Sequence, residues 1–173
     1  MAGYRSFEEK AVKIIQQNNY MTIATSSKKG GIWAAVVSYV YDKNYNFYFL
    51  SAIDSRHAEN IIENPGIAFE IFDSKQKIGS AEGVQAEGDA RFVPDGELES
   101  AIKLYAKRFF NDSETRAIER YPPEDYGEAA EFRFFKIKVS MLFATDGGVP
   151  GEESYMPSNE RRVEIDLKKL SKK

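Results

Sequence analysis

The sequence contains no cysteine, a single histidine and a single tryptophan. Without cysteine the chain can form no disulfide, thiolate zinc site or cysteine nucleophile, and it is compatible with a reducing cytoplasm. No stretch approaches the ~20 apolar residues of a membrane-spanning helix, and the polar segment 1–10 lacks the apolar centre of a secretory signal. Lysine and arginine total 24 against 27 aspartate and glutamate, a balance too even for a nucleic-acid or membrane surface. We therefore expect a cytoplasmic protein with neither kind of partner.

Aromatic side chains are abundant instead, with 12 phenylalanines and 10 tyrosines among 173 residues. They favour sheets and pockets for flat ligands alike. A chain of this length can bury about 70% of the surface that its unfolded form exposes. We therefore expect a single domain over residues 1–173 that needs no metal to fold.

Residue patterning predicts a mainly β fold of the α+β class. Seven segments have the alternating or β-branched character of strands: 20–26, 32–41, 47–51, 67–73, 79–92, 131–143 and 163–167. The first two are expected to pair as a hairpin, and the apolar positions 132, 134, 137 and 139 predict one register break in the sixth. Because small residues in 79–92 permit bends, the six or seven antiparallel strands are expected to curl into a small barrel.

Helical patterns flank and interrupt these strands. A capping box at Ser6 predicts a helix over 6–18. Two further helices, 97–109 and 113–119, form a helical insertion at 97–120, whose apolar stripe is expected to face the core. The lysine-rich residues 168–173 are expected to be a solvated tail.

The stretch 47–66 reads as an aromatic strand, a turn, a short helix and a stop at Asn64-Pro65-Gly66. Asp54 or Ser55 is expected to cap the helix. Arg56 and His57 then fall in the first turn, where cations oppose the helix dipole. Either both side chains turn into water, or a bound phosphate removes the conflict.

Several of these segments together resemble the pyridoxamine 5′-phosphate oxidase-like FMN-binding split-barrel superfamily. They are strand 32–41, the strand end Leu50-Ser51, the turn 55–57, Asn64-Pro65 and the segment 83–88. More narrowly, residues 56–58 with 83–85 resemble a small uncharacterised group within that superfamily. The resemblance implies an antiparallel split barrel that binds FMN, as a homodimer with each flavin site at the subunit interface.

The resemblance also implies which residues contact the cofactor. The second strand lies along the flavin ring, the end of the third meets the ribityl and phosphate side, and the turn holds the phosphate. The implied cofactor-binding residues are Ala34, Ala35, Val36, Val37, Ser38, Tyr39, Leu50, Ser51, Ser55, Arg56, His57 and Gln85. Elementary chemistry agrees, because arginine offers a planar fork to phosphate oxygens and small side chains admit a flat ring.

Three departures from the oxidase pattern shape the expected function. His57 replaces a lysine, so phosphate binding is expected to weaken as pH rises. Gly83 stands where the oxidase has a glutamine that touches the flavin, and Gln85, on the same face, is the candidate to replace it. The oxidase's C-terminal substrate motif is absent, which argues against pyridoxamine phosphate oxidation.

The leading hypothesis is an FMN-dependent oxidoreductase acting on an unknown small molecule, with no catalytic residue or metal site assigned. Three alternatives stay open. The first is a non-catalytic flavin store or sensor, and the second is a deazaflavin-dependent reductase. The third is a haem-binding split barrel with His57 as the iron ligand. Beside these stands a pure scaffold that binds no ligand, since a shared fold need not preserve a site.

Overall fold

The computed structural model describes residues 6–77, 82–146 and 161–170. These ranges contain eight strands, five α-helices and one 3₁₀ turn. The strands are β1 (Tyr20–Ser26), β2 (Ile32–Ser38), β3 (Val40–Tyr41), β4 (Phe47–Ala52), β5 (Gly66–Phe72), β6 (Gly83–Phe92), β7 (Phe132–Asp146) and β8 (Arg161–Glu164). The helices are α1 (Phe7–Gln17), α2 (Arg56–Glu63), α3 (Asp95–Phe110), α4 (Glu114–Arg120) and α5 (Leu167–Leu170), with the 3₁₀ turn at Pro123–Tyr126.

The strands form one curled antiparallel sheet in the order β2-β1-β5-β6-β7-β4-β3, with β8 added beside β7. This arrangement confirms the predicted α+β barrel, and β1 and β2 form the predicted hairpin. The two ends of the sheet, β2 and β3, are consecutive in the chain. The sheet must therefore curl back on itself for the chain to connect them.

The predicted strand 32–41 is divided in two at Tyr39. The Tyr39 backbone N–H donates to the carbonyl of Asn19 (3.1 Å), and its hydroxyl donates to the carbonyl of Ile15 (2.7 Å). The first bond extends the β1–β2 ladder by one residue, and the second joins the Tyr39 side chain to α1. The chain leaves β1 at this residue and crosses to β4.

Two apolar clusters form the core of the part of the chain that the structure describes. The larger lies inside the curled sheet and contains the fully buried rings of Phe47, Phe49 and Phe135. The smaller lies between α3 and the strands β3, β4 and β7, where Leu98 and Ile102 of the predicted helical stripe are buried. Each such side chain contributes about 1.5–3 kcal/mol to folding, so α3 is a structural wall of the barrel.

The longest strand pair, β6 with β7, contains one irregularity. The ladder shifts between Glu87 and Gly88, which leaves Ser140 as an extra residue on β7. The register break predicted between positions 134 and 137 is wrong in its position. Phe134 packs against α3 and Phe135 enters the central cluster, so the side chains alternate regularly there. At the shift the strands approach so closely that a Cβ on Gly88 would lie 3.0 Å from Val139 Cα. Only glycine fits there without movement.

The remaining boundaries shift by a few residues. Ser6 caps α1 as predicted, accepting from the Glu9 N–H (3.2 Å). The last strand is 161–164 instead of 163–167, and Leu170 of α5 is buried, so the segment 168–170 is not a free tail. Positions 79–81 and 171–173 lie outside the described residues. None of the helices in the described ranges has the length and apolar character needed to cross a membrane.

Candidate functional site

The candidate site forms where β4 ends and α2 begins. The expected side-chain cap is wrong, because the Ser55 hydroxyl donates back to the carbonyl of Ala52 (2.8 Å). The Ser55 backbone carbonyl instead accepts from the Glu59 N–H (3.0 Å). No side chain in the described part of the chain caps α2, so the first N–H groups of the helix remain available to a ligand. Asn64 ends the helix as predicted.

Two hydroxyls and the imidazole converge at this helix start. His57 Nε2 lies 2.7 Å from Ser51 Oγ and 3.2 Å from Ser55 Oγ, and the two hydroxyls are 3.3 Å apart. His57 is half-buried beside the ring of Phe49, with the ring centroids 6.3 Å apart. Burial disfavours the imidazolium and lowers the His57 pKa below its usual value of 6.5. The imidazole is therefore neutral at pH 7 in the ligand-free protein.

Arg56 takes a different direction from His57. Its guanidinium lies over the indole of Trp33, with Cζ 4.4 Å from the ring centroid, and Trp33 is 40% exposed. The contact uses the flat face of the guanidinium and leaves its N–H donors in the plane free for an anion. The sequence-based alternative of two solvated cations is thus only half right, because Arg56 is exposed but stacked and His57 is bonded to serines.

A polar chain anchors α2 beneath the first hairpin. Asn60 Nδ2 donates to Thr25 Oγ1 (3.0 Å), both side chains being buried, and Thr25 Oγ1 donates to the carbonyl of Trp33 (3.4 Å). Asn64 Nδ2 donates to Ser26 Oγ (2.8 Å). These bonds fix the position of Arg56 relative to Trp33. Sequence reasoning missed them, and the signal was one asparagine on the otherwise apolar inner face of a short helix and another directly after its end.

The implied flavin-strand residues alternate between the two faces of β2. Ala34 and Val36 lie on the outer face of the sheet, and Ala35 and Val37 lie on the inner face. The Ser38 hydroxyl shares a hydrogen bond with the Tyr105 hydroxyl of α3. These side chains are brought to one edge of the sheet, because β2 pairs with β1 on one side only.

Tyr39 and Leu50 both pack against other parts of the protein. Tyr39 is fully buried, and burial is the main reason that its pKa is raised above 10. It is a core residue and its ring is closed to a cofactor. Leu50 packs against the α3 cluster, one residue away from Ser51, whose side chain points to the opposite face.

Gln85 lies on the outer face of the sheet, in register with Glu70 and Phe143. It lines a cavity of about 350 Å³ that lies across β1, β5 and β6. A neighbouring cavity of about 530 Å³ has Ala24 and Ala68 in its wall. Within one subunit Gln85 is therefore three strands away from β2 and apart from His57.

The chemistry of the site is that of anion binding. A guanidinium, an imidazole, the Ser51 hydroxyl and helix N–H groups can donate to oxygen, and the Ser55 hydroxyl can do so if it leaves the Ala52 carbonyl. No carboxylate contacts His57 in the described ranges, so the serines and histidine do not form a catalytic triad. Across those same ranges no cluster of acidic or histidine side chains could hold a metal ion.

Comparison with known proteins identifies the family. The family model for pyridoxamine 5′-phosphate oxidase matches residues 7–146. The chain belongs to this family. A UPF0306 protein of Yersinia pseudotuberculosis is one of the curated relatives of this chain, and the two are 26% identical over 98 residues. That match covers 56% of this chain and 66% of the relative, slightly less than two thirds of its length.

Solved structures share the split-barrel fold of the pyridoxamine 5′-phosphate oxidase-like family. HutZ, the heme storage protein from Vibrio cholerae, aligns with a TM-score of 0.62 at 17% identity, over 77% of this chain and 90% of its own. A heme binding protein from Mycobacterium smegmatis aligns with a TM-score of 0.70 at 17% identity, over 99% of this chain and 62% of its own. At these identities the likeness concerns the fold alone.

Proposed function

We propose that this protein binds FMN, with the phosphate held by Ser51, Ser55, Arg56 and His57. The observation that carries the proposal is the convergence of two hydroxyls and an imidazole within 3.3 Å at an uncapped helix start. The stacked guanidinium of Arg56 adds a fixed charge with free in-plane donors. This donor set fits a phosphate dianion. Membership of the pyridoxamine 5′-phosphate oxidase family also supports the proposal.

The flavin ring would lie along β2. As an edge strand, β2 carries backbone N–H and C=O groups on its unpaired side. Ala34 and Ala35 have small side chains, one on each face of β2, so a flat ring can approach the backbone. Bound FMN would supply hydride or electron transfer. The chain's own residues would anchor the phosphate and orient the ring, as expected of an oxidoreductase whose small-molecule substrate is unknown.

The flavin test compares Arg56→Ala with Arg91→Ala, which removes an exposed arginine from β6. A hydrogen bond between charged groups is worth about 1.5–3 kcal/mol, so Arg56→Ala should weaken FMN binding by about 10- to 150-fold. The quenching of flavin fluorescence on titration measures this affinity. Arg91→Ala should bind like the unaltered protein. Equal affinity in both variants would overturn the assigned phosphate site, and no FMN binding by the unaltered protein would overturn the proposed function.

We also propose a homodimer that is formed through the outer face of the sheet. Six of the nine exposed large apolar side chains in the described ranges lie on this face: Tyr20, Ile32, Val36, Phe72, Phe132 and Met141. A second copy seated there would cover them and bring its own outer face to the flavin edge. Gln85 of one subunit could then approach the flavin bound by the other.

A matched pair of substitutions tests the dimer. Ile32→Asp places a charge on the outer face, and Ile62→Asp places one on α2, at side chains that are 78% and 57% exposed. Analytical ultracentrifugation should find monomers for Ile32→Asp and dimers for Ile62→Asp. A monomeric unaltered protein, or a dimer unaffected by Ile32→Asp, would refute this assembly.

Haem is the second candidate ligand, favoured by the fold shared with HutZ and with the Mycobacterium smegmatis protein. His57 is the only histidine, and its Nε2 would have to leave Ser51 to reach iron. Titration with haemin, followed by the Soret absorption band, decides between the ligands.

If haem is the ligand, the titration should give a saturable Soret band that His57→Ala abolishes, and the protein should not bind FMN. Selective binding of a deazaflavin would identify the reductase alternative, and bound FMN without turnover of nicotinamide donors would identify the store or sensor.

A further inference from the structure

A second cavity lies at the other end of β4 from the candidate phosphate site. It has a volume of about 540 Å³, within the range of small-molecule pockets. We name it the α3 cleft, and its polar lining residues are Gln16, Asp42, Lys43, Tyr45, Lys107 and Arg108. Because β4 spans six residues, the cleft is about 15 Å from Ser51. The two sites therefore cannot share one small ligand.

Three cations line the α3 cleft. Lys43 and Lys107 are exposed and make no ion pair in the described part of the chain. Arg108 is fixed, since its guanidinium donates to the carbonyls of Gln16 and Asn18 at the end of α1. Its Nε is buried and has no hydrogen-bond partner in the described ranges. The cleft thus combines one immobile cation with two that are free to close on a ligand.

Asp42, the carboxylate among the described lining residues, forms no ion pair with these cations. Asp42 accepts from the backbone N–H groups of Asn44 (2.8 Å) and Asn46 (3.0 Å). It also accepts from Asn46 Nδ2 (2.7 Å) and from the Tyr48 hydroxyl (3.0 Å). Four donors from the turn and from β4 thus bind the carboxylate, and the one negative charge faces three positive charges. An anion entering the cleft meets an excess of positive charge.

The rest of the lining is apolar. Val40, Leu104 and Leu170 come from three different elements. Tyr45 stacks on Tyr41 with ring centroids 5.5 Å apart, and it holds this position with a φ of 58°. A bulky residue in the left-handed region is strained by about 1–3 kcal/mol, so the surrounding structure fixes this wall of the cleft firmly.

From this combination we propose that the α3 cleft binds a small organic anion, a carboxylate, sulfonate or phosphate ester attached to an apolar body. The anionic group would lie between Lys43, Lys107 and Arg108, and the apolar body would lie against Leu104 and Leu170. This site is separate from the proposed flavin site and does not depend on it.

The test uses two dyes with the same ring system. The probe 8-anilinonaphthalene-1-sulfonate carries an anion, and N-phenyl-1-naphthylamine lacks it. The test variant combines Lys43→Gln with Lys107→Gln. The control combines Lys28→Gln with Lys138→Gln, two exposed lysines elsewhere, so both variants have the same net charge. Fluorescence titration of FMN-free protein gives the dissociation constants.

The test variant should bind the sulfonate about tenfold more weakly, because two charges near the anion are lost. The control should match the unaltered protein, and the uncharged dye should bind all three alike. Circular dichroism checks that each variant is folded, and FMN affinity should be unchanged. An equal sulfonate affinity in test and control variants would overturn the proposal. So would a sulfonate signal that Ile32→Asp removes, since the dye would then be on the outer face.

Discussion

Replacing Trp33 by leucine removes the ring on which the Arg56 guanidinium lies. The guanidinium is 4.4 Å from the ring centroid and Trp33 is 40% exposed, so the contact belongs to the solvated class worth about 0.5–1 kcal/mol. If the indole orients Arg56 for phosphate, that energy appears as affinity. Trp33→Leu should then raise the dissociation constant for FMN by about two- to fivefold. Trp33→Phe keeps an aromatic face and should retain most of the affinity.

The assay for this effect is a double-mutant cycle read by quenching of flavin fluorescence. The four proteins are the unaltered chain, Trp33→Leu, Arg56→Ala and the double variant. When Arg56 is absent, the indole has no guanidinium to orient, so Trp33→Leu should cost nothing further. An equal loss in both backgrounds would refute the reasoning, because Trp33 would then act on the flavin itself or on the stability of β2.

Two other predictions concern the sheet and the imidazole. Gly88→Ala should lower the free energy of unfolding by about 1–3 kcal/mol in denaturant titrations, because its methyl group meets the Lys138 carbonyl. Gly96→Ala in the first turn of α3 meets nothing and should not destabilise. The pKa of His57 is lower in the folded protein than in the unfolded chain, so the unfolded chain takes up a proton more readily. The contribution of neutral His57 to the free energy of unfolding is therefore complete above pH 6.5 and is lost as pH falls below it. In His57→Gln the free energy of unfolding should depend less on pH below pH 6.5. An unchanged dependence would contradict this prediction.

The same pKa shift alters the expected pH dependence of FMN binding. The sequence alone suggested that binding weakens through the ordinary titration range of histidine. Burial beside Phe49 lowers the pKa of His57 in the free protein, and a bound phosphate would raise it again. Affinity should therefore rise as pH falls toward the pKa of free His57. Constant affinity from pH 8 down to pH 5 would show that His57 takes up no proton.

Strand and helix positions were largely readable from the sequence, because they depend on local periodicity. The hairpin, the α2 stop at Asn64 and the apolar stripe of α3 follow from spacing and turn chemistry. The break at Tyr39 was not readable, since it involves a bond from its hydroxyl to Ile15 that forms only after α1 packs. The position of the β7 bulge likewise depends on its partner strand.

The candidate site divides in the same way. A positive helix start after an aromatic strand was visible in the sequence, whereas the directions of its two cations were not. The stacking of Arg56 on Trp33 joins residues that are distant in the chain. The bond from Asn60 to Thr25 crosses 35 positions. The family resemblance placed Tyr39 along the flavin, but β2 ends one residue before it and its ring is buried.

The single-residue link between β2 and β3 limits how this chain can change in length. The hairpin turn at 27–31 can accept an insertion, because its residues are on the surface. An insertion beside Tyr39 would slide β2 along β1 or β3 along β4. A slide of one position turns every side chain of a strand to the opposite face, which would move Trp33 away from Arg56. Relatives that keep this site should therefore vary in the hairpin turn and hold a constant length at Tyr39.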